Sequence, residues 1–385
     1  MSSNAIQPTV NGDVDLAIIG AGPAGLLTAL EAARLRPDKR VAVIEARQDV
    51  GHDRVWCWWS CAEPPWPTFD HQWSSWRLVA NGHSVHARAH RIHYRMLRAS
   101  TLVRQASEQV ASLPNLALTY GVSVDAQRLV DGGVVLALDS GGELCAPIVV
   151  DTRPPGLRPG AWRQAFRGWE VVANDPVFDP EAAVLMEFTP AAEHPCRFFY
   201  ILPTSAHQAL VEETIFTRAP LGPPGPEGLG RRLAALAPGG YQVVREEAAV
   251  LPMDPDLRAP PQVSRVVALG VRGGAARPAT GYAFVGLARQ ARAFARAWAR
   301  YPTRPARTPR ARPDWAVWMD RVFLHVLDQD PARSRALFPQ MFAGAPRASV
   351  RFLSDVGGLR AAGRVAMAMP KIPFIRAAAD VGVRR

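Results

Sequence analysis

The chain begins with a polar, turn-rich dozen, MSSNAIQPTVNG, and its first element comes where residues 15–19 turn continuously apolar. That run predicts a buried strand. Helical spacing over 24–35 and a second apolar run over 41–45 follow, so residues 15–45 predict a compact βαβ unit. Residues 56–76 hold six of the eleven tryptophans, broken by Pro64, Pro65 and Pro67, and predict neither a regular helix nor a regular strand.

A helical pattern resumes over 93–113, and alternating segments at 116–124, 129–138 and 148–151 predict strands. From 168 to 216 the texture is β, with 197–202 and 209–216 forming a hairpin around PTSAHQ. Residues 219–230 are a loop by composition, followed by a helix to about 236. A strand at 266–269 leads into a second glycine-rich segment and a helix over 284–300. PTRPARTPRARP (302–313) is a basic linker, and the remainder is mostly helical with an Arg-punctuated, weakly amphipathic end. No repeat of fixed period is present, and no run approaches the roughly 18–20 apolar residues of a membrane span.

Composition narrows the function classes. A hydrophobic share of 48% is that of a chain with a real core. The formal charge of +11 raises nucleic acid or an anionic membrane as partner, but Lys39 and Lys371 are the only lysines in an Ala- and Pro-rich chain. That pattern describes a solvated Arg-rich surface, with membrane attraction next and no nucleic-acid partner expected. Cys57, Cys61, Cys145 and Cys196 are scattered and form no disulfide framework, which fits a reducing cytoplasm. Cys57, Cys61 and His52 lack paired CxxC spacing, so no metal is expected. His83, His86, His90 and His93 are expected as surface residues, the last three at helical spacing.

The chemistry begins in IIGAGPAGL, immediately after a strand and opening a helix. Gly20 permits the tight turn, Gly22 lets backbone approach a pyrophosphate, and Gly25 allows helix to pack on strand. The helix amino terminus supplies N–H groups and a favourable dipole. Glu45 closes the next strand, placed for a ribose hydroxyl. FAD is favoured over NAD because the motif opens a chain whose cofactor site is completed far downstream. That downstream part is LGVRGGAARPATGYAFVGLARQA (269–291), where Gly270, Gly273, Gly274, Thr280 and Gly281 offer backbone and hydroxyl donors. Asp151 opens DTRPP, a strand end of the DxRG kind. The fold class expected is α/β: a Rossmann-like FAD-binding domain of the two-domain flavoprotein type, with a mixed β-sheet substrate domain and a helical C-terminal part. The expected boundaries are 13–50, 99–155 and 260–300 for a discontinuous FAD-binding domain, 51–98 and 156–259 for the substrate domain, and 301–385 for the helical segment with membrane contact.

Several separated segments together resemble the bacterial lycopene β-cyclases. They are IGAGPAGL, GHDRVWCWW, DTRPP, FRGWEV, RFFYILP, LVEETIF, ARPATGYAF and the tail 351–373, which span almost the whole chain. LVEETIF is similar to the acidic motif these cyclases write as FLEET. Where bacterial relatives often carry His-Thr-Trp, this chain has Asp53, Arg54, Val55 and Trp56, so only the tryptophan carries over. The resemblance implies FAD working in its reduced form without net redox, NAD(P)H as reductant, and lycopene or other carotenes with ψ-ends as substrate. It also implies a cytoplasmic enzyme loosely attached to the inner face of the membrane, with Trp56, Trp169 and Tyr282 as substrate contacts.

Closing a β-ring is an isomerisation: one proton adds to a terminal alkene, an internal alkene attacks the tertiary cation, and another proton leaves. Such a site needs a carboxylic acid kept protonated by apolar surroundings. Glu212 and Glu213 are the catalytic candidates, and neighbours on a strand face opposite sides, so at most one enters a given cavity. The resemblance favours Glu212, with Glu213 in support and Glu187 next. Two other readings share part of this frame: an FAD-dependent monooxygenase or dehydrogenase acting on an apolar substrate, and a non-catalytic flavoprotein that binds a lipid or a partner at a membrane.

Overall fold

The computed structural model describes residues 12–50, 54–60, 68–189, 194–257 and 263–383. His52, Asp53, Cys61, Pro64, Pro65, Trp66 and Pro67 of the sequence argument lie outside them.

The βαβ unit forms as its apolar runs require. Leu16–Ile19 and Val41–Glu45 are parallel neighbours, both buried throughout, joined by the helix Pro23–Leu35. Val149–Asp151 and Val266–Ala268 extend this parallel sheet on one side and Leu116–Tyr120 on the other. Phe284–Arg300 packs on Pro23–Leu35, and Phe294, Ala295 and Trp298 join Leu26 and Leu30 in one apolar cluster. A small sheet of Gly12–Asp13, Glu143–Ala146, Gly133–Leu138 and Val124–Val130 lies against the parallel sheet, sharing its apolar cluster.

A seven-stranded sheet forms the second body, in the order Tyr241–Pro252, Arg163–Ala173, Gln208–Thr217, Arg197–Pro203, Ala182–Phe188, Ser75–Ala80 and His83–Arg88. The expected hairpin is present, Arg197–Pro203 pairing antiparallel with Gln208–Thr217. The helix Pro226–Leu236 covers one face through Leu229 and Leu233. The C-terminal helices, Asp314–Gln329 onward, cover the other face at Phe198, Phe216 and Phe338.

Several elements correct the expectation. His93–Arg98 is a strand, and the helix starts only at Ala99. Tyr94 and Met96 pack into the cluster of the second body while Leu97 packs into that of the parallel sheet, so apolar side chains occupy both faces and erase the period-2 signal. His83 and His86 sit on one strand and His93 on the next, not along a helix. The Trp-rich stretch contains regular strands at Val55–Ser60, His71–Trp73 and Ser75–Ala80. Tyr241–Pro252, where the charged run Arg245–Glu247 hides the alternation, is a strand the pattern did not suggest. Residues 302–313 are no free linker. Thr308 donates to the Ala268 carbonyl at 2.9 Å, and buried Arg312 donates to the Ala275 and Ala276 carbonyls at 2.9 and 2.6 Å.

Candidate active site

The glycine motif has the shape a dinucleotide needs. Gly20 adopts φ +101°, and a side chain there would collide with the Thr152 hydroxyl. A side chain on Gly25 would collide with the Gly20 carbonyl, so this glycine sets how closely helix meets strand. Gly22 differs: a Cβ there meets nothing within 4 Å. It is the N-cap residue and no side chain caps the helix, leaving open space and a helix amino end without a side-chain partner where a diphosphate would rest. This cradle, which a side chain would fill, fits the cofactor. Glu45 lies at the end of its strand with Oε2 accepting the Ala21 N–H at 2.8 Å and Oε1 accepting the Arg47 guanidinium at 2.8 Å. Its carboxyl is therefore held below the usual range despite burial.

The downstream cofactor candidates divide. Gly270 brings the second glycine loop against the first helix, where a Cβ on it would stand 3.0 Å from the Ala24 side chain. Buried Gln290 ties that loop together, accepting from Gly270 N–H at 2.8 Å and donating to the Gly273 carbonyl at 2.9 Å. Gly273 is enclosed by Gln290 and the Ala268 carbonyl, which makes it a packing position, while Gly274 (φ +75°) and Gly281 (φ +74°) turn the chain. Thr280 Oγ1 is buried without a hydrogen-bond partner. Asp151 is clasped by Arg153, whose Nε and Nη2 donate at 3.0 and 2.8 Å.

Along Gln208–Thr217 the side chains alternate cleanly. Leu210 and Phe216 join the cluster of the C-terminal helices, and Ala209 and Val211 that of the Pro226–Leu236 helix. Glu212 therefore faces the first side and Glu213 the second. Glu213 pairs with Arg197 at 2.6 Å beneath Gly228, where any side chain would strike both partners. Burial raises its carboxyl, and Arg197 opposes that rise. Glu187 is neutralised by Arg232 at 2.8 Å.

Among the described residues no cation pairs with Glu212 in this way, Arg245 reaching it only through its charge. Burial first, and then the charge of Glu247, push its carboxyl up to about 8, while the Thr214 hydroxyl donates to Oε1 at 2.5 Å. Gly168, Glu212, Tyr200 and Glu247 meet across four strands, since Gly168 pairs with both Glu212 and Glu247, and Glu212 with Tyr200. The neighbouring cation is already engaged: Arg245 donates to Glu247 at 2.7 Å and to Glu170 at 3.0 Å, and Glu170 also accepts from Arg98. Negative and positive charges along this row are matched up to Glu247, and Glu212 is the group left to carry its proton.

An aromatic and hydroxyl shell adjoins it. Tyr94 hydrogen-bonds Tyr200, and donates to Tyr282 at 3.2 Å. Trp59 packs on Tyr94 and Tyr282 with ring centroids 4.6 and 4.9 Å apart. Cys57 lies among them, its thiol pushed up to about 12 by burial and by the charges of Glu212 and Glu247. Burial, with Glu212 adding to it, also raises the Tyr282 phenol. Tyr282 is thus brought to Glu212. Trp56 and Trp169 are not: Trp56 packs into the parallel-sheet cluster, and Trp169, paired with Val211, lies on Glu213's side. Tyr94, Tyr200, Thr214 and Glu247 are the neighbours sequence reasoning missed, while Trp59 belongs to the tryptophan stretch it offered as a tunnel wall. The signal for Glu247 was the adjacent acid pair in REEAAV, a charged echo of VEETIF.

The fold recurs in known structures. A geranylgeranyl bacteriochlorophyll reductase-like protein of Thermoplasma acidophilum aligns over 96% of this chain and 99% of its own, at TM-score 0.63 and 12% identity. A flavoprotein/dehydrogenase of Cytophaga hutchinsonii aligns over 97% and 100%, at 0.60 and 12%. The flavin-dependent brominase Bmp2 aligns over 97% and 100%, at 0.65 and 13%. At such identities they share the fold, the α/β flavoprotein architecture expected from the glycine motif. No curated protein matches the sequence. The family described as "Lycopene cyclase protein", however, matches residues 15–379, nearly all of the chain. With a buried carboxylic acid set among aromatic rings on a flavoprotein scaffold, the chain belongs to the lycopene cyclase family.

Proposed function

We propose that the protein closes the ψ-ends of lycopene to β-rings, yielding β-carotene by way of γ-carotene, with Glu212 as proton donor. The observation that carries this reading is an acid that keeps its proton to about pH 8 inside an aromatic, water-poor shell. Protonating an alkene demands such an acid, because an ionised carboxylate has no proton to give. The Thr214 hydroxyl orients the carboxyl through Oε1. The Glu212 proton adds to the terminal double bond, the internal alkene closes the ring, and loss of a ring proton restores the formula, so no electrons are transferred overall. The faces of Trp59, Tyr94 and Tyr282 stabilise the positive charge and keep out water that would trap it.

FAD would be held by Gly20, Gly22, Gly25 and Glu45, and in its reduced form, maintained by NAD(P)H, it would supply negative charge without net redox. The substrate's insolubility, and the exposed Met367, Ile372 and Ile375 beside Arg364, Lys371 and Arg376, support peripheral attachment to the inner face of a cytoplasmic membrane. No described helix is long and apolar enough to cross one. Expression in a lycopene-accumulating host with pigment analysis tests the reading. β-ring products are expected, and unchanged lycopene together with stoichiometric consumption of oxygen or nicotinamide would replace it with a redox activity.

A further inference from the structure

The C-terminal helices enclose a cavity of about 380 Å³ whose surface is almost wholly hydrocarbon. Trp318, Phe323, Phe338, Val365 and Phe374 line it. Of its polar wall atoms, Arg277 Nη2, Asp320 Oδ2 and Thr280 Oγ1 are buried without a hydrogen-bond partner, though Arg277 and Asp320 satisfy each other's charge. Arg277 and Asp320, each 1% exposed, pair at 3.0 Å, and the Arg277 guanidinium lies 4.0 Å over the Phe352 ring. Lys371 donates to the Met367 carbonyl at 2.7 Å, closing the end of the helix Gly358–Ala368. A ligand here meets mostly carbon, and a charged head would find the wall's two buried charges, Arg277 and Asp320, already paired with each other.

The cavity wall meets two different surroundings. Met367 (76% exposed), Lys371 and Ile375 (67% exposed) are wall residues that also reach the surface. On the helices Gly358–Ala368 and Lys371–Val383 the exposed cations Arg360, Arg364, Lys371 and Arg376 face a single acid, Asp380, itself paired with His325 at 3.1 Å. That balance suits an anionic lipid surface. Leu353, another wall residue, also borders a small second cavity lined by Cys57, Trp59 and Tyr282, the residues beside Glu212.

We infer that this cavity is the binding site for the unreacted length of a linear isoprenoid hydrocarbon, entered from the lipid phase between the last two helices. The inference rests on the proposed function, since it is the polyene whose end reaches Glu212. Its length is carried in an apolar sleeve between membrane and acid, and the sleeve adds affinity in proportion to the hydrocarbon it covers.

Protein carrying Glu212→Gln, purified from a lycopene-producing host, is expected to retain bound carotene, read by its visible absorption against its FAD content. Adding Ala378→Trp, or Ala366→Trp at an exposed wall position, should reduce that carotene about tenfold or more, because an indole replaces the apolar space the chain would fill. FAD content and Tm should stay unchanged, and palmitate should not displace the pigment. Carotene retained in both filled variants, displacement by palmitate, or no pigment in the open-cavity protein would each overturn the inference. Cyclisation by Glu212→Gln would instead sink the assignment of the acid, leaving the effect of the filled cavity on bound carotene to be read separately.

Discussion

Gly168 lies directly across the strand pair from Glu212, and a Cβ at that glycine would stand 3.5 Å from the Glu212 Cβ and 3.2 Å from Glu247 Cγ. The missing side chain is what lets two carboxylates share one patch of sheet. Gly168→Ala should therefore disturb the pair while leaving the strand paired, and Gly168→Val should do so more severely. Cyclase activity is expected to fall about tenfold in the alanine variant, the cost of shifting the proposed proton donor by a fraction of an ångström. Wild-type turnover by Gly168→Val with an unchanged pH profile would dismiss the relationship.

Glu212→Gln should abolish ring closure and leave FAD content intact, since glutamine preserves shape but offers no acidic proton; the loss is expected to be on the order of a thousandfold or more. Glu213→Gln is a contrasting case. It leaves half-buried Arg197 without its carboxylate partner, so the expected effect is a lower Tm with activity per folded, flavin-loaded molecule largely kept. Comparing the two variants by pigment analysis and thermal unfolding separates an acid from a structural ion pair.

The pH dependence follows from the raised Glu212 carboxyl. Activity needs the protonated form, so it should hold through neutral pH and fall as pH rises past about 8. Glu247→Gln removes a neighbouring negative charge and should move that fall to lower pH. Stability runs the same way. The folded state binds more protons than the unfolded one between the ordinary carboxylate value of 4.5 and about 8, so this contribution is full at the low end and lost as pH rises. Glu212→Gln should flatten Tm against pH across that window, and an unaltered slope would show that Glu212 does not titrate there.

Gly22→Val tests the cofactor cradle with little disturbance of packing, because a Cβ at this position stands in open space. The purified variant should be folded and colourless. Gly25→Val, colliding with the Gly20 carbonyl, should lower Tm or prevent accumulation altogether. Flavin bound at the normal ratio in Gly22→Val would argue for another cofactor position.

How much of this was legible in the sequence depends on the range of the interactions involved. The βαβ unit, the hairpin and the helix Phe284–Arg300 were readable because continuous apolar runs, a short turn and a 3.6-residue stripe are local patterns. Gly20, Gly22, Gly25 and the acidic pair could be picked out for the same reason, and strand alternation alone assigned Glu212 and Glu213 to opposite faces. The three-dimensional fold decided the rest. Trp56 and Trp59 are three residues apart on one strand, yet one packs toward the dinucleotide sheet and the other toward the acid, because the strand lies between two cores. Glu247, thirty-five positions from Glu212 in sequence, becomes its electrostatic partner only through two antiparallel pairings across Gly168. Sequence determined which residue could be an acid; burial and that long-range register determined that it would hold its proton, since desolvation and like charge exist only once the strands have met.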